Sequence, residues 1–134
     1  MPSLRKNGDG LRVLIVEDEG IIALDMQDLI EAAGGVVAGM ARSGVDAVEA
    51  VRAVHPDVVL MDVKLQGGMD GIEAAEIITR GAEPCPVIFV TATTNTSSVT
   101  RMRNVGLCVA GKPVAPEEVI EAIRQACGVR ETPR

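Results

Sequence analysis

The side chains able to do chemistry sit at the ends of apolar runs. Glu17 and Asp18 close LRVLIVE (Leu11–Glu17), Asp62 closes DVVLMD (Asp57–Asp62), Thr91 closes VIFVT (Val87–Thr91), and Lys112 stands just past Leu107–Ala110, before Pro113. If the first and third runs are neighbouring strands, their backbones lie about 4.8 Å apart and bring Asp18 and Asp62 together. Carboxylates that close repel, so one must hold a proton or a cation must bridge them. With oxygen donors and no His or Cys nearby in the sequence, Mg²⁺ suits such a site better than zinc. Lys112 would bring a second positive charge. An aspartate between a divalent cation and a lysine is placed to attack phosphorus, because both cations stabilise the equatorial oxygens of a transferring phosphoryl group. Asp62 is therefore the candidate nucleophile, and Thr91 offers a hydroxyl to a phosphoryl oxygen.

Each residue also has a plainer reading. Glu17-Asp18 directly before a helix can be an N-cap with favourable dipole charge. Asp62 can be a loop residue, Thr91 a β-former, and Lys112 a surface turn. What favours the chemical reading is their recurrence, in order, at successive strand ends.

The elements that must position them alternate. Leu11–Glu17 reads as a strand covered on both faces, and Glu19–Ala33 as a helix that Gly34-Gly35 terminates. Strand Val36–Met40, helix Gly44–Val54, strand Asp57–Asp62 and helix Gly71–Thr79 follow, and then Pro84 and Pro86 reset the chain. Strand Val87–Thr91, helix Thr96–Asn104, strand Leu107–Ala110 and helix Pro116–Ala126 complete the series. Strands alternating with helices imply parallel pairing by right-handed crossovers, hence an α/β sheet between helical layers. In such open sheets ligands bind beyond the carboxyl ends of the strands. The strand ending at Met40-Ala41 looks blank there. Residues 1–10 read as a polar N-terminal tail and 128–134 as a C-terminal tail around a domain over 11–127.

At 134 residues the chain has the size of one domain, able to bury roughly two thirds of its unfolded surface. Hydrophobic residues at 47% against 24% charged argue against disorder. No apolar run approaches the ~18 residues of a membrane span, and the polar start lacks the apolar segment of a secretory signal; a soluble, cytoplasmic protein is expected. The net charge of −6 argues against direct nucleic-acid binding, which needs a concentrated basic face. Cys85, Cys108 and Cys127 lack CxxC spacing and read as buried thiols.

The motifs VLIVEDE (Val13–Glu19), LMDVKL (Leu60–Leu65), MDGIEA (Met69–Ala74), FVTA (Phe89–Ala92) and GKP (Gly111–Pro113) together resemble the receiver domains of two-component response regulators, over nearly the whole chain. The resemblance implies a flavodoxin-like (βα)5 fold, a doubly wound five-stranded parallel sheet in order 2-1-3-4-5. It implies that Asp62 accepts phosphate from a histidine kinase or a histidine phosphotransfer protein. It further implies that Asp18 ligates Mg²⁺ directly, Glu17 acts through water, the carbonyl of Lys64 completes the shell, and Thr91 and Lys112 contact the phosphoryl group. Lys64 and Thr93 would flank the path of hydrolytic water. A stand-alone receiver is expected to act on nothing but itself and to signal through protein contact.

The departure is at Val109, where receivers usually carry Tyr or Phe as a rotameric switch. The chain has one Phe and no Tyr or Trp, and Phe89 reads as core. Val109 motivates a different reading, a receiver-fold binding module that works without phosphorylation. A phosphohydrolase of the haloacid-dehalogenase type also uses a strand-end aspartate with Mg²⁺, but its general acid would stand where this chain has Lys64. His55 before Pro56 reads as a loop residue, Gly67, Gly68 and Gly71 as shaping the loop after Asp62, and Arg101 and Arg103 as a solvated face.

Overall fold

The computed structural model describes residues 3–65, 67–82, 84–91, 96–110 and 115–129, with residues 96 and 107–110 described by their backbone. The first elements are β1 (Arg5–Lys6), β2 (Asp9–Gly10), β3 (Arg12–Val16), α1 (Gly20–Ala32), β4 (Val36–Ala41) and α2 (Gly44–Val54). They are followed by β5 (Val58–Met61), α3 (Gly71–Arg80), β6 (Val87–Thr91), α4 (Thr96–Val105), β7 (Leu107–Ala110) and α5 (Pro116–Ala126). The long strands form one five-stranded sheet in order β4-β3-β5-β6-β7, parallel throughout. Counting only those strands, the order is the 2-1-3-4-5 of the doubly wound α/β fold.

Two cores explain why the central strands are apolar at every position. Val13 and Ile15 of β3 pack with Met26 and Ile30 of α1 and Ile120 and Ile123 of α5. Leu14 and Val16, pointing the other way, pack with Ala47 and Val51 of α2, Ile72 and Ile78 of α3, and Met102 of α4. Phe89 is fully buried in that second core. Only an edge strand can spare a face, and on β4 both Val36 and Met40 are exposed.

Local chemistry sets the helix ends. Gly34, at φ +93°, lets its own N–H reach Glu31 O at 3.0 Å and that of Gly35 reach Ile30 O at 2.9 Å, the paired bonds of a Schellman motif. Ser43 accepts from the Asp46 N–H and starts α2, Asp70 accepts from the Glu73 N–H and starts α3, and Pro116 opens α5. His55 closes α2 in the left-handed region, and Arg12 donates to its carbonyl and to that of Val54.

The expected N-terminal tail is a folded hairpin. β1 pairs antiparallel with β2 around Asn7 and Gly8, whose φ angles are 54° and 86°, the two left-handed residues of a tight hairpin turn. Leu4, fully buried, joins the core under α1 and α5. Its N–H donates to Ala33 O at 2.8 Å and its carbonyl accepts from Leu11 N–H at 2.7 Å. Arg124, itself buried, donates to Ser3 O at 2.6 Å, and Lys6 Nζ to Cys127 O at 2.8 Å. At the other end Val129 still packs on this core, so the chain beyond α5 does not leave the surface at residue 128. Among the cysteines, Cys85 is buried as expected, whereas Cys127 is half-buried; both are free thiols. The side chain of Cys108 lies outside the described residues.

Candidate functional site

The site is built by continuing two strand ladders past their last residues. In β3 and β5, Val16 stands opposite Met61, so the next residues, Glu17 and Asp62, emerge side by side at the carboxyl edge. Each is pinned by a backbone bond to its neighbour: Asp62 N–H to Val16 O at 3.0 Å, and Glu17 N–H to Ala41 O of β4 at 3.0 Å. Asp18 follows on the short loop into α1. One carboxylate oxygen from each of Glu17, Asp18 and Asp62 lies within 4.8 Å of the other two. Glu17 and Asp62 are only 2% and 7% exposed and Asp18 is partly exposed, so a cation between the three would offset the mutual repulsion of carboxylates held this close.

Hydrogen bonds set the orientations. Asp62 Oδ1 accepts from the N–H of Val63 at 2.8 Å, and Glu17 Oε2 accepts from the N–H of Glu19 at 3.3 Å. Thr91, at the end of the next strand over, is buried. Lys64 is exposed two residues beyond Asp62. Lys112, Pro113, Ala92 and Thr93 lie outside the described residues, as does the side chain of Val109. The structure thus brings Glu17, Asp18 and Asp62 together, with Thr91 at the same edge of the sheet.

Two features of the site escape a strand-end reading. Arg42, just after the strand end that looked blank, donates to the backbone carbonyl of Asp18 at 3.1 Å. Its signal in the sequence is only a charged residue just past the strand end that looked blank. The other is Gly71, the first residue of α3, whose N–H donates to Val63 O at 2.9 Å; a Cβ there would overlap the carbonyl oxygen of Asp62. Glycine is what allows α3 to start against the loop carrying Asp62.

The donor set suits a hard divalent cation. It offers oxygen atoms alone, from three carboxylates on two adjacent strand ends, and Mg²⁺ takes carboxylate and water oxygens in this way. Neither His nor Cys belongs to the cluster, which removes the ligands that favour zinc.

Fold and site together define a doubly wound α/β protein with an acidic pocket at its topological switch point. Residues 13–124 match the family model of the response regulator receiver domain, and the chain belongs to that family. It is 36% identical over 116 residues to the transcriptional regulatory protein PdtaR of Mycobacterium tuberculosis, covering 86% of this chain and 56% of that protein. It is 33% identical to the chemotaxis protein CheY of Thermotoga maritima, covering 87% of this chain and 97% of that one. Among solved structures, the signal receiver domain of a modulated diguanylate cyclase from Desulfovibrio desulfuricans G20 superposes with a TM-score of 0.81 at 32% identity, over 90% of this chain and 95% of that one. The chain spans about half the length of PdtaR. Among the described residues, no helix is long and apolar enough to cross a membrane.

Proposed function

We propose that this receiver domain takes a phosphoryl group onto Asp62 from the phosphohistidine of a histidine kinase or a histidine phosphotransfer protein. The observation that carries the reading is the convergence of Glu17, Asp18 and Asp62 within 4.8 Å of one another. In the reaction a carboxylate oxygen of Asp62 attacks phosphorus, the phosphorus–nitrogen bond of the donor breaks, and the departing imidazole keeps the electron pair and takes up a proton. The product is an acyl phosphate on Asp62. Glu17, Asp18 and Asp62, with the carbonyl of Lys64, would hold Mg²⁺. The chemistry it supplies when bound is neutralisation of charge on the carboxylates and on the phosphoryl oxygens. Thr91 donates its hydroxyl to one of those oxygens and Lys112 its ammonium to another. The domain turns over no external substrate, and its output is contact with a protein partner in the cytoplasm.

Incubation with Mg²⁺ and acetyl phosphate should add one phosphoryl group by intact mass, and Asp62→Asn should remove that addition. Labelling that survives in the variant would falsify the assignment. Val109 favours a second reading, binding that does not depend on phosphorylation. Equal affinity for a partner with and without beryllofluoride supports it; a difference supports the first.

A further inference from the structure

We propose that Arg42 is a positioning residue for the acidic pocket, tethering the loop between β3 and α1 so that the carboxylate of Asp18 stays beside those of Glu17 and Asp62. Two members of the cluster are held by the sheet itself, through the backbone bonds of Glu17 to Ala41 and of Asp62 to Val16. Asp18 sits one residue further out and is the partly exposed member. Mutual repulsion among the carboxylates pushes it toward water. Glu19, at the N-cap of α1, makes no side-chain capping bond, and the bond from its N–H to Glu17 Oε2 at 3.3 Å leaves the Asp18 carbonyl unheld by that helix. A further restraint comes from the residue just past β4, where the Arg42 guanidinium reaches across and donates to Asp18 O at 3.1 Å.

An arginine suits this task. Its planar guanidinium presents several N–H donors at the end of a long side chain. Its charge also opposes the repulsion that would open the loop. The inference takes its functional meaning from the Mg²⁺-dependent reading above, but it concerns the loop before any ion binds.

The test is Mg²⁺ titration of the full chain by calorimetry, a method that needs no tryptophan. Arg42→Ala should weaken binding by roughly three- to tenfold, the scale of one ordinary net hydrogen bond at an exposed position. Arg42→Lys, which keeps a charged donor of similar reach, should recover most of it. An Arg42→Ala protein that binds as tightly as the parent, or more tightly because a nearby positive charge is gone, overturns the proposal. If the parent itself binds no Mg²⁺, the reading of the pocket fails separately. Amide hydrogen exchange at Glu19 and Gly20 then decides for the tether: faster exchange in Arg42→Ala supports it, and unchanged exchange overturns it.

Discussion

Gly71 lies against the carbonyl of Asp62 so closely that a methyl group on its α-carbon would occupy the space of that oxygen. The start of α3 is thus packed directly against the backbone of the candidate phosphoacceptor. Alanine normally stabilises a helix relative to glycine. Here Gly71→Ala should instead destabilise the fold by about 1–3 kcal/mol through overpacking, and should slow labelling from acetyl phosphate. Thermal unfolding and the labelling rate check both.

Mg²⁺ should stabilise the folded chain, because the unfolded chain has no pocket. At ten times its dissociation constant a single-site ligand adds about 1.4 kcal/mol. The unfolding midpoint should therefore rise with Mg²⁺ and return when a chelator removes it. Asp18→Asn should flatten that response; an equal rise in the variant would place the ion elsewhere.

Leu4 is fully buried although it belongs to what reads as a tail. Leu4→Ala should cost about 2–5 kcal/mol, as other buried leucines do. A urea titration reads the loss directly. A truly dangling segment would show no change in midpoint.

Cys85 has its thiol pushed up from 9.0 to about 11 by burial first, then by Cys127 and Asp57. Cys127 is likewise raised to about 11, by burial and by Asp57, with Lys6 opposing. At neutral pH both should alkylate slowly, with rates climbing roughly tenfold per pH unit toward that value. The linkage has a definite sign. Folded thiols hold their protons after unfolded ones have lost them, so the stability this lends is fully present below about pH 9 and lost as pH rises through about 11. A Cys85→Ser, Cys127→Ser double variant should lose less of its urea midpoint across that window than the parent.

The sequence carries most of this architecture because the sheet is buried on both sides. Continuous apolar strands and proline or glycine boundaries mark the elements sharply, and Gly44–Val54, Val87–Thr91 and Pro116–Ala126 end where the sequence places them. Glu17, Asp18 and Asp62 can be read the same way, since parallel register turns equal positions along the chain into neighbours. The hairpin was present as Asn7-Gly8, yet arms of two residues are too short to show a strand period, and the charged residues beside the turn disguise it. For Arg42 the sequence offers a charge but no partner: it donates to a backbone carbonyl 24 residues earlier, and such a bond leaves no pattern in residue types.

The hairpin's attachments reach from Ser3 and Lys6 to Arg124 and Cys127, each across 121 positions. During synthesis, β3, α1 and β4 can begin to associate while ribosomal elongation continues. The early hairpin can meet the end of α1 through the Leu4–Ala33 bond, but its bonds to Arg124 and Cys127 wait until α5 has cleared the exit tunnel. Attachment of the hairpin is therefore completed late, and nascent chains halted before α5 should be cut by protease at the turn around Asn7 more readily than the full chain.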